Sequence, residues 1–208
     1  VVLISNLGYI KRMPLSAYKS QGRGGKGSSS TKLVDDDFIN QIFIASTHAY
    51  VTFITNEGRA YWIKIHEIPE ATKNSRGSHI KGLLSLSPNE EITTVATMED
   101  FRDDSYLVMA TANGTIKKIA SSELQNAKTR GVLAIRLKDG DKLVSAILTT
   151  GNDELLLITR RGKALRYSEE KVRVMGRSSS GLKGIKLATN DELVAALRIE
   201  KNSKMIII

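Results

Sequence analysis

The chain has 208 residues, 41% of them hydrophobic and 25% charged, which is enough to bury a substantial core and too apolar for a disordered polymer. It contains no cysteine, so disulfides and thiolate metal sites are excluded; no apolar run is long enough to cross a bilayer as a helix, and residues 1–4 are too few for a signal-peptide core. A formal net charge of +9 favours a polyanionic partner, and the lack of cysteine fits a reducing cytoplasm.

The chain opens with Val2-Leu3-Ile4-Ser5, turns at Asn6-Leu7-Gly8 and continues as Tyr9-Ile10-Lys11-Arg12, which reads as a β-hairpin. The heptad Gln21-Gly22-Arg23-Gly24-Gly25-Lys26-Gly27 follows, packing four glycines and two cations together. Glycine lets another chain or a ligand approach the backbone, and successive free N–H groups beside Arg23 and Lys26 suit phosphate. A Walker A loop would need Ser or Thr after Lys26, where Gly27 stands. Gly22, Gly24 and Gly27 have dinucleotide-fingerprint spacing, but the following Ser28-Ser29-Ser30-Thr31-Lys32 opens no amphipathic helix. Taken alone, the heptad equally describes a flexible linker.

The hairpin grammar returns three times. Tyr50 to Thr55 turns at Asn56-Glu57-Gly58, Tyr106 to Thr111 turns at Asn113-Gly114, and Leu155 to Thr159 turns at Arg161-Gly162. Each hairpin is followed by a glycine in a polar or basic loop, Arg23-Gly24, Arg76-Gly77, Arg130-Gly131 or Ser180-Gly181. An acidic turn then precedes another apolar run, as in Asp35-Asp36-Asp37 before Phe38-Ile39 and Asp191-Glu192 before Leu193-Val194. A period near fifty residues with about four short strands per unit predicts an all-β, propeller-like array of four-stranded antiparallel blades. The units expected are residues 2–49, 50–105, 106–153 and 154–204 of a single domain, 1–208, with 205–208 starting or closing a further blade. Glu67 to Ser75 and Ser121 to Thr129 look locally helical and are read as connecting segments.

Charge is sorted within the repeat. Residues 1–33, 50–82, 106–138 and 154–187 hold 26 of the 31 lysines and arginines but 7 of the 22 acidic residues. Solvated strand faces explain single cations, not the same asymmetry four times. The second unit, with an acidic excess over residues 50–105, should contribute least. Candidate phosphate contacts are Lys11, Arg12, Arg59, Lys64, Arg76, Lys81, Lys117, Lys118, Arg130, Arg160, Arg161, Lys163, Arg166, Arg177, Lys183 and Lys186, together with the heptad residues Gln21 to Gly27. His48, His66 and His79 lack the company of a metal site, Tyr61 and Trp62 are expected in the core, and no serine is framed by triad partners.

The heptad resembles the glutamine-arginine-arginine-glycine-glycine-lysine-glycine box of the C-terminal domain of bacterial DNA gyrase A, with Gly22 in place of an arginine. Gly8-Tyr9-Ile10-Lys11-Arg12, Val172 to Arg177 and Gly181-Leu182-Lys183-Gly184-Ile185 resemble that domain as well. The resemblance implies a β-pinwheel whose blades exchange strands, six in the full domain, wrapping duplex DNA around a basic perimeter. It further implies partners: the cleavage domain of the same polypeptide, and the ATPase subunit of an A2B2 enzyme in the bacterial cytoplasm. No cofactor is expected in this chain; ATP and magnesium would bind elsewhere in the enzyme, and no tyrosine here is expected to be catalytic. Two other readings stand beside it, the equivalent domain of topoisomerase IV and a propeller acting as a protein-interaction scaffold.

Overall fold

The computed structural model describes residues 1–18, 23–24 and 35–200. Strands β1 (Val2–Ser5) and β2 (Tyr9–Arg12) form the first hairpin, with Leu3 opposite Lys11, and β3 (Ile39–Phe43) pairs with the other side of β1. The second unit repeats this with β4 (Tyr50–Thr55), β5 (Arg59–Lys64) and β7 (Ile92–Met98), and carries the two-residue strand β6 (Ser78–His79) between them. The third has β8 (Tyr106–Thr111), β9 (Thr115–Ala120), β10 (Val132–Leu133) and β11 (Leu143–Thr149); the fourth has β12 (Glu154–Thr159), β13 (Ala164–Ser168), β14 (Leu182–Lys183) and β15 (Leu193–Ile199).

Each two-residue strand leaves its own unit and completes the sheet of the unit before it. The sheet orders are β3-β1-β2-β6, β10-β5-β4-β7, β11-β8-β9-β14 and β13-β12-β15, all antiparallel. Strand β11 packs against both β7 and β15, so the third long strand of each of these units lies inward and the exchanged strand lies at the opposite, outer edge. Of the segments that look helical in sequence, Ser121 to Thr129 opens with a short 3-10 turn, Ser121–Leu124, whereas Glu67 to Ser75 holds only the last residue of another, Ile65–Glu67.

A common local device closes all four hairpins. Three residues before each turn glycine stands Ser5, Thr55, Thr111 or Thr159. Its hydroxyl accepts a hydrogen bond from the amide four residues on, of Tyr9 (3.1 Å), Arg59 (3.3 Å), Thr115 (3.3 Å) and Lys163 (3.2 Å). Short hydroxyl side chains compete well for such turn amides. The acidic turn then clamps the hairpin from across the sheet: Asp37, Asp141 and Asp191 accept from the amides of Leu7, Asn113 and Arg161 at 3.0, 3.0 and 3.1 Å. The second unit inverts the polarity, Glu91 N donating to Asn56 Oδ1 at 3.0 Å. Next to this clamp the strand pairing slips by one residue in every sheet, a β-bulge at four equivalent places.

The exchanged strands require their glycines. Gly77, Gly131 and Gly181 have φ of +92°, +71° and +89°, and a Cβ would lie 2.5 Å from Ile10 O, 2.3 Å from the Tyr61 ring and 2.6 Å from Ile116 O. Only glycine combines that backbone shape with that approach. Three apolar clusters lie behind these contacts, one uniting Ile54 and Ala60 of the second sheet with Leu107, Met109 and Ile119 of the third. Phe53, Leu107 and Ile119 are essentially inaccessible, and each such side chain contributes about 1.5–3 kcal/mol by leaving water. Tyr61 and Trp62 are both buried although they sit on opposite faces of β5, because the next unit covers the face a lone sheet would expose.

Candidate nucleic-acid interface

Three of the cations chosen from the sequence are not surface groups. Lys11, Lys117 and Lys118 are 2%, 0% and 5% exposed. Lys11 Nζ donates to the carbonyls of Thr72 (3.1 Å), Lys73 (3.1 Å) and Ser75 (2.7 Å). Lys117 Nζ donates to those of Ala134 (2.8 Å), Arg177 (2.6 Å) and Ser179 (2.9 Å). Lys118 Nζ meets the buried Glu169 carboxylate and main-chain carbonyl, each at 3.3 Å, and lies 4.9 Å above the Tyr106 ring. These ammonium groups are saturated by the protein and cannot reach a phosphate. Burial lowers the Lys11 ammonium from its ordinary value and brings that of Lys117 to about 8, Glu123 drawing it upward and Arg177 downward.

Arg12 and Arg59 are partly engaged. Arg12 donates to Ile68 O and pairs with Glu70, both at 2.7 Å; Arg59 donates to the Tyr61 hydroxyl at 2.9 Å and to Arg130 O at 3.0 Å. Lys64 is half-buried, its ammonium 5.9 Å from the Tyr50 ring centroid. Arg177 pairs with Glu123 at 3.1 Å, Arg160 with Glu192 at 2.6 Å and Arg166 with Glu154 at 3.0 Å. Ion pairs this open to water are weak and leave most of each cation's field available. Arg76, Lys81, Arg130, Arg160, Arg161, Lys163, Arg166, Lys183 and Lys186 are exposed.

In the heptad, Arg23 and Gly24 are described and exposed; Gln21, Gly22, Gly25, Lys26 and Gly27 lie outside the described residues. Gly24 has φ of +85°, the shape of Gly77 and Gly181, yet a Cβ on it would meet nothing within 4 Å among the described residues.

The exchanged strands order the exposed cations. Ile80, Ile135 and Ile185 are buried, and their amides donate to the carbonyls of the preceding hairpins' turn glycines, Gly8, Gly58 and Gly114, at 2.8, 3.1 and 3.2 Å. The residue immediately after each is an exposed cation, Lys81, Arg136 or Lys186. One positive side chain therefore recurs at the same place beside the outer edge of three successive sheets. Arg136 was not among the sequence candidates; the recurring pair of isoleucine and cation after the loop glycine is the signal that marks it. Among the described residues, no group of three or more His, Asp or Glu side chains is placed to hold a metal ion.

Interlocked antiparallel sheets, three of them four-stranded with a cation beside the outer edge, define a β-pinwheel, a propeller-like array whose rim is basic. The family described as "DNA gyrase C-terminal domain, beta-propeller" matches residues 1–46, 49–97, 105–150 and 153–200, one match per unit, and the chain belongs to that family. It is 57% identical over 180 residues to DNA gyrase A of Treponema pallidum (strain Nichols), covering 86% of this chain and 22% of that protein. It is 41% identical over 197 residues to DNA gyrase A of Escherichia coli (strain K12), covering 95% of this chain and 22% of that protein. The chain thus spans about a fifth of these relatives. Among solved structures it is similar to the C-terminal domain of DNA topoisomerase IV (TM-score 0.82, 28% identity, 96% of this chain and 61% of that one) and to the DNA gyrase A C-terminal domain (TM-score 0.73, 33% identity, 97% and 65%).

Proposed function

We propose that this chain binds duplex DNA along its basic outer edge and bends it around the array, without reading base sequence. The observation that carries the reading is the recurrence of Lys81, Arg136 and Lys186 at one structural position, flanked by the loop cations Arg76, Arg130 and Arg177. Cations at regular intervals on a curved rim meet phosphates at regular intervals, and phosphate contacts position DNA without specifying bases. In this reading residues 2–49, 50–105, 106–153 and 154–204 are successive units of a domain with six blades when complete. The domain serves DNA gyrase, a bacterial cytoplasmic type II topoisomerase, by presenting a DNA segment to the cleavage domain of the same polypeptide. Strand passage, which depends on magnesium held elsewhere in the enzyme and is driven by ATP on a separate subunit, then introduces negative supercoils.

The heptad gives the test. Arg23 and Lys26 are two cations among 31, so replacing both by alanine should leave linear DNA bound with modestly reduced affinity. Completing the bend costs about 1–6 kcal/mol for a short site and depends on a contact at the end of the path. The double variant should therefore bind but no longer constrain supercoils in a relaxed plasmid. Full retention of supercoil constraint would mean that the heptad is only a structural loop.

The higher TM-score to the topoisomerase IV domain supports a second reading, in which DNA is bound but weakly wrapped. The near-intact heptad and the higher identity to the gyrase domain favour the first. Weak supercoil constraint by the unaltered chain would select the second.

A further inference from the structure

At each of the three junctions between units, a cation near the start of one unit's second strand reaches forward and holds the backbone of the next unit's loop. The acceptors include, every time, the carbonyl of an exposed or half-exposed loop cation. Lys11 Nζ donates to Lys73 O at 3.1 Å, Arg59 Nη2 to Arg130 O at 3.0 Å, and Lys117 Nζ to Arg177 O at 2.6 Å. The middle junction uses a different donor and a different point of the loop. Tyr61 stands where Lys11 and Lys117 stand in their strands, its hydroxyl taken by Glu90, and Arg59 supplies the donor from two residues earlier. Lys11 and Lys117 hold the carbonyls four and two residues before the loop glycines Gly77 and Gly181, whereas Arg59 holds that of the residue immediately before Gly131, so what recurs is a held loop cation and not one carbonyl position.

Resting on the DNA-binding reading above, we propose that Lys11, Arg59 and Lys117 are positioning residues that act on DNA through the loop of the following unit, fixing Lys73, Arg130 and Arg177 for contact with phosphate. The physical need is specific. The carbonyls of Ala134, Arg177 and Ser179 converge on one point, where their negative ends repel unless a donor with several N–H groups sits between them. Without the ammonium, buried carbonyls lose their partners and the loop must turn them toward water, carrying the Arg177 side chain with it. Lys117 itself has no exposed surface, so its effect on a phosphate has to pass through that loop.

A double-mutant cycle in the full chain tests this with linear duplex DNA. Lys117→Met, which keeps the length of the side chain and removes its donors, should weaken binding as much as Arg177→Ala does and lower the log–log salt slope by about 0.9, the share of one phosphate. The double variant should bind no worse than Lys117→Met alone. Additive losses, or unchanged binding in Lys117→Met, would overturn the proposal. Amide exchange read without DNA separates this from the binding reading: residues 176–181 should exchange at least tenfold faster in Lys117→Met while β8 and β12 keep their protection. Unchanged exchange would overturn the positioning role, whereas an unaltered chain that failed to bind duplex DNA would sink the functional reading and leave the exchange result standing. Should Lys117→Met fail to fold, the same cycle at the first junction, Lys11→Met with Lys73→Ala, decides between the same outcomes.

Discussion

Thr111 and Asp141 lie thirty residues apart in sequence and share a hydrogen bond of 2.6 Å, the Thr111 hydroxyl donating to Oδ2 while Oδ1 accepts from the amide of Asn113. One carboxylate therefore joins the end of a strand, its turn and the entry to the third strand of the same sheet. Removing it leaves a hydroxyl and an amide without their partner, so Asp141→Ala should cost about 1–3 kcal/mol, measured by urea denaturation. Affinity for duplex DNA should not fall, since the lost charge is negative. A decrease in binding at unchanged stability would contradict this assignment.

The rim cations should act additively and without sequence preference. Replacing Lys81, Arg136 and Lys186 by glutamine one at a time, then together, should reduce the salt slope by about 0.9 per residue. Losses should be the same on unrelated duplexes. Base-dependent losses would show that these side chains read the grooves instead.

Gly181 and Gly140 separate backbone shape from crowding. Both have positive φ, +89° and +74°, but a Cβ on Gly181 would sit 2.6 Å from Ile116 O while one on Gly140 would meet nothing within 4 Å. Alanine at either position bears the left-handed penalty of roughly 1–2 kcal/mol. Gly181→Ala should cost a further 1–3 kcal/mol, roughly the cost of overpacking, and should loosen β14 from β9 in amide exchange. Equal costs at the two sites would mean the exchanged strand can shift freely.

Lys117 gives a pH signature. Burial brings its ammonium to about 8 in the folded chain, against an ordinary value of 10.5 when unfolded. Between those values the unfolded chain binds more protons, so the contribution of this group to stability rises with pH across that window. Denaturation near its lower and upper ends should show the rise, and Lys117→Met should remove that part of it. A fall in the same comparison would show that the folded state holds the proton more tightly than burial suggests.

The repeats were legible because a period of two broken by glycine leaves few alternatives to a hairpin, and because charge alternated with the same period as the turns. Strand exchange at particular residues was not legible: Ser78–His79, Val132–Leu133 and Leu182–Lys183 are too short to carry a pattern. Lys11, Lys117 and Lys118 read as surface cations because a lysine in a sheet normally faces water. What reverses that is a neighbouring unit bringing carbonyls to the strand, which local sequence cannot report. The acidic turns showed in the sequence as charge, and in the fold they are acceptors aimed at amides.

The handing-back of an outer strand gives the array a direction, like overlapping roof tiles. A break in the chain beyond the third sheet strips β14 from that sheet and exposes the underside of its neighbour, while the same loss at the front takes no strand from the three sheets that follow. Damage should therefore creep toward the beginning of the chain, and a protease working inward from the far end should meet a succession of freshly frayed edges, whereas one working from the start should meet sheets that are still whole.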